Sequence, residues 1–138
     1  MGVTIAPATP RDRAATIALW QAAGLTRPWN DPGADLDLAL ATPTSDVLLV
    51  RDGGEVIGSV MVGFDGHRGW VYYLATAPDH RKRGVGRALM QAAEATLRKL
   101  GCLRIRLMVR SDNLAARGFY EAVGYEAQDV ITLGRTLD

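Results

Sequence analysis

Between Leu74 and Ala88 the chain reads Leu74-Ala75-Thr76-Ala77-Pro78-Asp79-His80-Arg81-Lys82-Arg83-Gly84-Val85-Gly86-Arg87-Ala88. A β-rich segment passes through a basic, glycine-containing turn into the most regular amphipathic pattern in the sequence. Its apolar positions are Val85, Ala88, Leu89, Ala92, Ala93, Thr96 (by its methyl), Leu97 and Leu100, which share one helical face. Gly101 follows as a C-terminal stop. A strand that hands over directly to such a helix demands a mixed α/β or α+β architecture, with the helix lying on a sheet. The 138 residues suit one domain, 1–138, and are too few for two ordinary cores. Apolar residues make up 48%, enough to fill a core and too many for a disordered chain.

The flanking segments extend the pattern. Val3-Thr4-Ile5 alternates as a short first strand. Thr9-Pro10-Arg11-Asp12 carries an N-cap, a proline and a first-turn acid, so a helix is expected from there to Ala23, stopped by Gly24. Asp31-Pro32 repeats the signal for a second helix ending near Thr42-Pro43. Asp46–Arg51 and Glu55–Phe64 read as strands joined by Asp52-Gly53-Gly54, a hairpin signal. Asp65-Gly66-His67-Arg68-Gly69 turns the chain into a third strand, Trp70–Ala77. Leu103–Val109 alternates apolar and basic residues as a further strand. Ser111 or Asp112 is placed to cap a last helix ending at Val123-Gly124, and Tyr125–Leu133 supplies one or two terminal strands.

The turn at Arg81–Gly86 has the chemistry of an anion site. Amide N–H groups converge where a helix begins, and its dipole presents a partial positive charge there. Gly84 and Gly86 keep the backbone bare. Arg81, Lys82, Arg83 and Arg87 add positive charge at the rim. Two other glycine motifs are excluded. A dinucleotide fingerprint needs a third small residue where this chain has Leu89, and an acid where it has Arg104 and Arg106; a P-loop needs Gly-Lys-Ser/Thr.

Arg-x-x-Gly-x-Gly between strand and helix resembles the pyrophosphate-binding motif of the GCN5-related N-acetyltransferase (GNAT) family. Asn113-Leu114-Ala115-Ala116-Arg117-Gly118-Phe119-Tyr120-Glu121-Ala122-Val123-Gly124-Tyr125 is similar to that family's second conserved segment, at the expected separation. Arg27–Pro32 and Gly63–Gly69 further resemble the bacterial YpeA-type branch of small acetyltransferases. The resemblance implies the GNAT fold: a mixed, mostly antiparallel sheet of six to seven strands, about four helices, and two splayed parallel strands that form the acetyl-CoA cleft. It implies transfer of an acetyl group from acetyl-CoA to a primary amine by direct attack.

On the same footing, the main chain of Leu74, Ala75 and Thr76 would meet the pantetheine arm and the thioester oxygen. Arg81, Lys82, Arg83, Gly84, Val85, Gly86 and Arg87 would hold the pyrophosphate. Tyr120 matches the position of the general acid, a phenol able to give its proton to the leaving thiolate; taken alone it reads rather as a core aromatic beside Phe119, and the motif is what favours the catalytic role. Asn113 is both a helix cap and a match to a coenzyme contact. Many relatives carry a basic glutamate on the strand before the loop; Trp70-Val71-Tyr72-Tyr73-Leu74-Ala75-Thr76 has no acid. Asp65, His67, Tyr72 and Tyr73 remain candidate bases. For the acceptor, the loop Arg27–Asp31 and the hairpin Asp65–Gly69 are expected to set specificity. Trp29 offers a flat wall, Asn30 and Asp31 can orient a cationic amine, and Asp65, His67 and Tyr73 complete the candidate set, although Asp31 can equally cap the second helix and His67 can be a plain turn residue.

A formal charge of +1 gives no global drive toward nucleic acid or membrane. The single cysteine, Cys102, excludes an internal disulfide, and its apolar setting suggests packing over reactivity. No metal site is expected. No secretory signal or bilayer-length apolar run is visible, so the expectation is a soluble, cytoplasmic protein, with a homodimer allowed because relatives often pair. Two other readings are a non-catalytic coenzyme A sensor on the same fold and a nucleic-acid module using the arginines. Tyr120 speaks against the first and the near-neutral charge against the second. The acceptor stays open among small amines, amino acids, antibiotics and protein N-termini.

Overall fold

The computed structural model describes residues 3–137, in two compact units that divide between Met108 and Val109. In the first unit five strands follow one another in space as in sequence: β1 (Val3–Pro7), β2 (Ser45–Asp52), β3 (Glu55–Phe64), β4 (Gly69–Thr76) and β5 (Ile105–Leu107). The first four are antiparallel neighbours, and β5 lies parallel to β4. The β2–β3 hairpin closes with Asp52 opposite Glu55. Its two turn residues, Gly53 and Gly54, have φ of 59° and 90°, the conformation that matches strand twist in a two-residue hairpin.

Helices cover both faces because the buried strands are apolar on both sides. On one face α1 (Arg13–Ala22) and α2 (Pro32–Ala41) pack Trp20 and Leu36 onto Val47, Leu49 and Ala75. On the other lies α3 (Val85–Lys99), which buries Val85, Leu89, Met90, Ala93 and Leu97. The expected apolar stripe is present with two changes: Met90 is buried, and Leu100 is exposed beyond the helix end. The α3 helix lies so close that two strand glycines cannot gain a side chain. A Cβ on Gly58 would come within 2.6 Å of Val85 Cγ1 and 3.3 Å of the Ala75 carbonyl, and one on Gly69 within 2.4 Å of Leu97 Cδ1. Gly58→Ala is therefore expected to destabilise the protein by about 1–3 kcal/mol, read from urea midpoints at unchanged slope, because it pushes the first turn of α3 off the sheet.

The helix starts behave as their sequences suggest, with one shift. Asp31 caps α2, its Oδ1 accepting from the Ala34 N–H at 3.1 Å. Thr9-Pro10 opens a 3-10 turn, Pro10–Asp12, before α1 begins at Arg13. There Asp12 accepts from the Thr9 N–H at 2.8 Å and pairs with Arg51. Cys102 is buried, its Sγ 3.1 Å from the Arg104 carbonyl, in keeping with packing.

In the second unit α4 (Leu114–Ala122) is capped by Asn113, whose Oδ1 accepts from the Ala116 N–H at 3.1 Å; Ser111 and Asp112 precede the cap. Gly124, at φ 99°, ends it. The sheet has five strands among the described residues, not six to seven. The strand expected over Leu103–Val109 narrows to Ile105–Leu107, and no strand forms over Tyr125–Leu133. There Val130, Ile131 and Leu133 stand 65–86% exposed. β-propensity reflects fit to a pleated, half-buried surface and does not make a strand without a ladder partner.

Candidate active site

The chain leaves β4 at Thr76 and makes a 3-10 turn over Pro78–His80, where the His80 N–H donates to the Ala77 carbonyl at 2.8 Å. Arg81 is extended, Lys82 turns left-handed at φ 67°, and Gly84 does so again at φ 80° as the N-cap of α3. Two left-handed residues this closely spaced fold the backbone sharply just ahead of the helix, the kind of turn in which successive amides can gather around an anion. A Cβ on Gly84 would meet only open space, so glycine is favoured there for its φ, and steric blockage is not the reason at this position.

The helix ladder opens with the Ala88 N–H donating to the Gly84 carbonyl at 3.0 Å. The amides of Val85, Gly86 and Arg87 come ahead of that bond and have no intrahelical acceptor. No side chain caps them. Arg81, Lys82, Arg83 and Arg87 are exposed around this end, while the ion pairs seen among the described residues, Arg13–Asp37 and Arg51–Asp12, lie elsewhere. His80, just before, keeps its Nδ1 buried without a partner. An uncapped helix start rimmed with cations has the chemistry to hold an anion.

The strand that feeds this turn is irregular where it matters. β4 pairs with β5 only over Gly69–Val71, so Tyr72–Thr76 runs past the end of its parallel neighbour. On its other side, Met61 faces Tyr72 and Ser59 faces Ala75. Tyr73 and Leu74 together therefore oppose Val60 alone, which makes a β-bulge. Tyr73 has φ 53°, a left-handed conformation that costs a non-glycine residue on the order of 1–3 kcal/mol.

Three contacts hold it, and a fourth bond ties two of the holders together. The Tyr73 ring stacks on Trp20 with centroids 3.8 Å apart and planes 13° from parallel. Its hydroxyl donates to Asp35 Oδ2 at 2.6 Å. The fully buried Ser59 hydroxyl donates to the Tyr73 carbonyl at 2.9 Å and accepts from Trp20 Nε1 at 2.9 Å. Trp20, Asp35 and Ser59 were not among the sequence candidates. A serine set in the apolar run Val56–Val62 was the available signal, since a buried hydroxyl needs partners.

The sequence-named bases divide by environment. Burial, with the charges of Asp35 and Asp31 added, pushes the Tyr73 phenol well above its usual range. Burial and the Asp65 charge raise Tyr72. Neither phenol readily accepts a proton. Asp65 folds back on its own hairpin: Oδ1 accepts from the Arg68 and His67 amides at 2.7 and 2.8 Å, and Oδ2 from Trp70 Nε1 at 3.2 Å. These bonds hold its carboxyl below the usual range, which makes it a weak base. His67 is an exposed turn residue whose amide joins this Asx-turn. Trp29 is 70% exposed, Asn30 donates its N–H to the Arg27 carbonyl, and Asp31 is engaged as a cap.

In the second unit Asn113 serves as the α4 cap, as above. Tyr120 is half-buried, edge-on to Phe119 and Tyr125 at 5.1 and 6.0 Å. Desolvation pushes its phenol up to about 12, so it holds its proton throughout the physiological range.

A strand that outruns its parallel neighbour, a bulge in it and an uncapped helix start behind a left-handed turn mark the site of this mixed α/β fold. Residues 14–125 match the acetyltransferase (GNAT) family, and the chain belongs to it. An acetyltransferase of Pectobacterium atrosepticum is 48% identical over 126 residues, 91% of this chain and 89% of its own. Among solved structures, the fold is similar to that of AAC(6')-Iy bound to a CoA-based bisubstrate analog, at TM-score 0.85 and 16% identity, with both chains fully covered. It is also similar to the ribosomal-protein-S18-alanine N-acetyltransferase of Escherichia coli, at TM-score 0.78 and 24% identity, covering 92% of this chain and 80% of that one. The protein is an acetyltransferase. No helix among the described residues is long and apolar enough to cross a membrane.

Proposed function

We propose that this chain, as one 138-residue domain, transfers the acetyl group of acetyl-CoA to a primary amine by direct attack. The observation that carries the reading is the uncapped start of α3 behind the left-handed Lys82 and Gly84, at the end of a strand whose second half has no parallel partner. Val85, Gly86 and Arg87 would supply amides to the pyrophosphate, with Arg81, Lys82 and Arg83 around it. The coenzyme supplies the activated thioester. Leu74, Ala75 and Thr76 would offer fixed main-chain groups to the pantetheine arm and to the oxygen on which charge develops, donors that need no rearrangement.

In the reaction the amine nitrogen bonds to the carbonyl carbon and the C–S bond breaks. Tyr120, assigned from its motif, gives its proton to the thiolate and regains one, through water, as the attacking nitrogen sheds its extra proton, and Asn113 adds a coenzyme contact. The acceptor must arrive neutral. An α-amine is neutral about one time in ten at pH 7 and a lysine about one in two thousand, so a water-borne proton loss suffices more readily for the former. Trp29, Asn30 and Asp31 are proposed to face the acceptor. The decisive assay is thiol release from acetyl-CoA against a panel of amines and peptides; no release with any of them, in a protein that binds coenzyme, would leave only a sensor. Because Asp65 is engaged by its own hairpin, the pH–rate profile should show no carboxylate limb at about pH 4–6. A limb there that vanishes in Asp65→Asn would reinstate Asp65 as the base.

A further inference from the structure

We propose that Ser59, Trp20 and Asp35 are positioning residues that lock the Tyr73–Leu74 bulge and so aim the main chain of Leu74–Thr76 at the reacting thioester. The assignment of a purpose to that aim rests on the acyl-transfer reading above; the lock itself does not.

A left-handed tyrosine survives only where its surroundings over-determine it. Here each handle of Tyr73 is held from a different element. The carbonyl takes the Ser59 hydroxyl from β3, the ring lies on Trp20 of α1, and the phenol oxygen donates to Asp35 of α2. Ser59 links two of these, because it also accepts from Trp20 Nε1. With both Trp20 and Ser59 completely buried, no water can substitute for a lost partner. The side chain at the bulge thus points away into the α1–α2 layer, and the orientation of the next three peptide groups is set by packing from that layer and from β3. The Arg81–Gly86 turn shares none of these contacts, so bulge geometry and pyrophosphate binding are separable.

The test uses Ser59→Ala, Asp35→Ala and the conservative Asp35→Asn, which keeps an acceptor for the Tyr73 hydroxyl. Amide hydrogen exchange on the full chain without ligand is the first readout. Ser59→Ala should speed exchange at Leu74–Thr76 by tenfold or more, with Val85–Ala88 unchanged. The second is steady-state kinetics, in which kcat should fall by about tenfold or more while KM for acetyl-CoA stays within about twofold. Asp35→Ala should follow the same pattern in milder form, and Asp35→Asn should recover most of it. Should Ser59→Ala fail to fold, the Asp35 pair carries the test. Unchanged exchange at Leu74–Thr76 overturns the lock, and faster exchange or a lower melting temperature with unaltered kcat in an active enzyme overturns the aiming role. Faster exchange in a protein whose wild type acetylates nothing supports the lock and sinks the acyl-transfer reading instead.

Discussion

Gly86→Glu is expected to abolish coenzyme A binding in calorimetry while the protein stays folded. Gly86 is the second residue of α3, in the first turn, where the amide ahead of the helix ladder is free to donate. A glutamate there is compatible with the helix, and an acid in the first turn even favours it through the dipole. Its carboxylate would occupy the positive end of α3 that a diphosphate otherwise takes. Two like charges about 4 Å apart near a surface repel by about 4 kcal/mol. Allowing for the neighbouring cations and salt, the loss should be on the order of 100-fold or more. Affinity within a factor of three of wild type would show that the phosphates go elsewhere, and the proposed cradle would be gone. Gly86→Ala is the control, expected to bind far better than the glutamate because it adds bulk without charge.

The second large effect concerns Tyr120. Removing a general acid typically costs 10²–10⁴-fold in rate, so Tyr120→Phe should lower kcat by about a hundredfold at pH 7.5 with little change in coenzyme affinity. The ring contacts to Phe119 and Tyr125 survive the change, so the melting temperature should move little. The sign of the pH dependence follows from the direction of the shift. A phenol raised to about 12 is the acid form at every pH below that, so Tyr120 should add no alkaline fall between pH 7 and 10. Over this range kcat/KM should rise as the acceptor amine loses its proton. Full activity in Tyr120→Phe would return the residue to a packing role beside Phe119.

How far the residues could be read without coordinates differs from element to element. The Asp31-Pro32 start, the Gly53-Gly54 hairpin and the limits of β3 follow from local chemistry: a side-chain oxygen within reach of an orphan amide, or a backbone angle only glycine takes easily. The amphipathic run from Val85 gave α3 to within a residue for the same reason, since 3.6-residue periodicity is local. The Arg81–Gly86 turn was legible because glycine spacing, basic residues and the strand-to-helix change coincide in six positions. The terminal strands were misjudged because Val130-Ile131-Thr132-Leu133 has strand composition, and strand formation needs a partner that composition does not report.

The bulge shows the limit most clearly. Nothing local in Val71-Tyr72-Tyr73-Leu74 calls for a left-handed tyrosine, which is disfavoured by its own side chain. It exists because Ser59, fourteen residues away, Asp35, thirty-eight away, and Trp20 converge on it. Periodicity, caps, turns and the basic, glycine-containing loop ahead of α3 are properties of short stretches, and the amino-acid sequence alone determined them, together with the family. Which peptide groups stand free at the end of β4, which carboxylate is consumed by its own hairpin and which phenol is pinned were decided only by the tertiary structure. Each of these is the outcome of several distant segments competing for the same few hydrogen bonds in a space that excludes water.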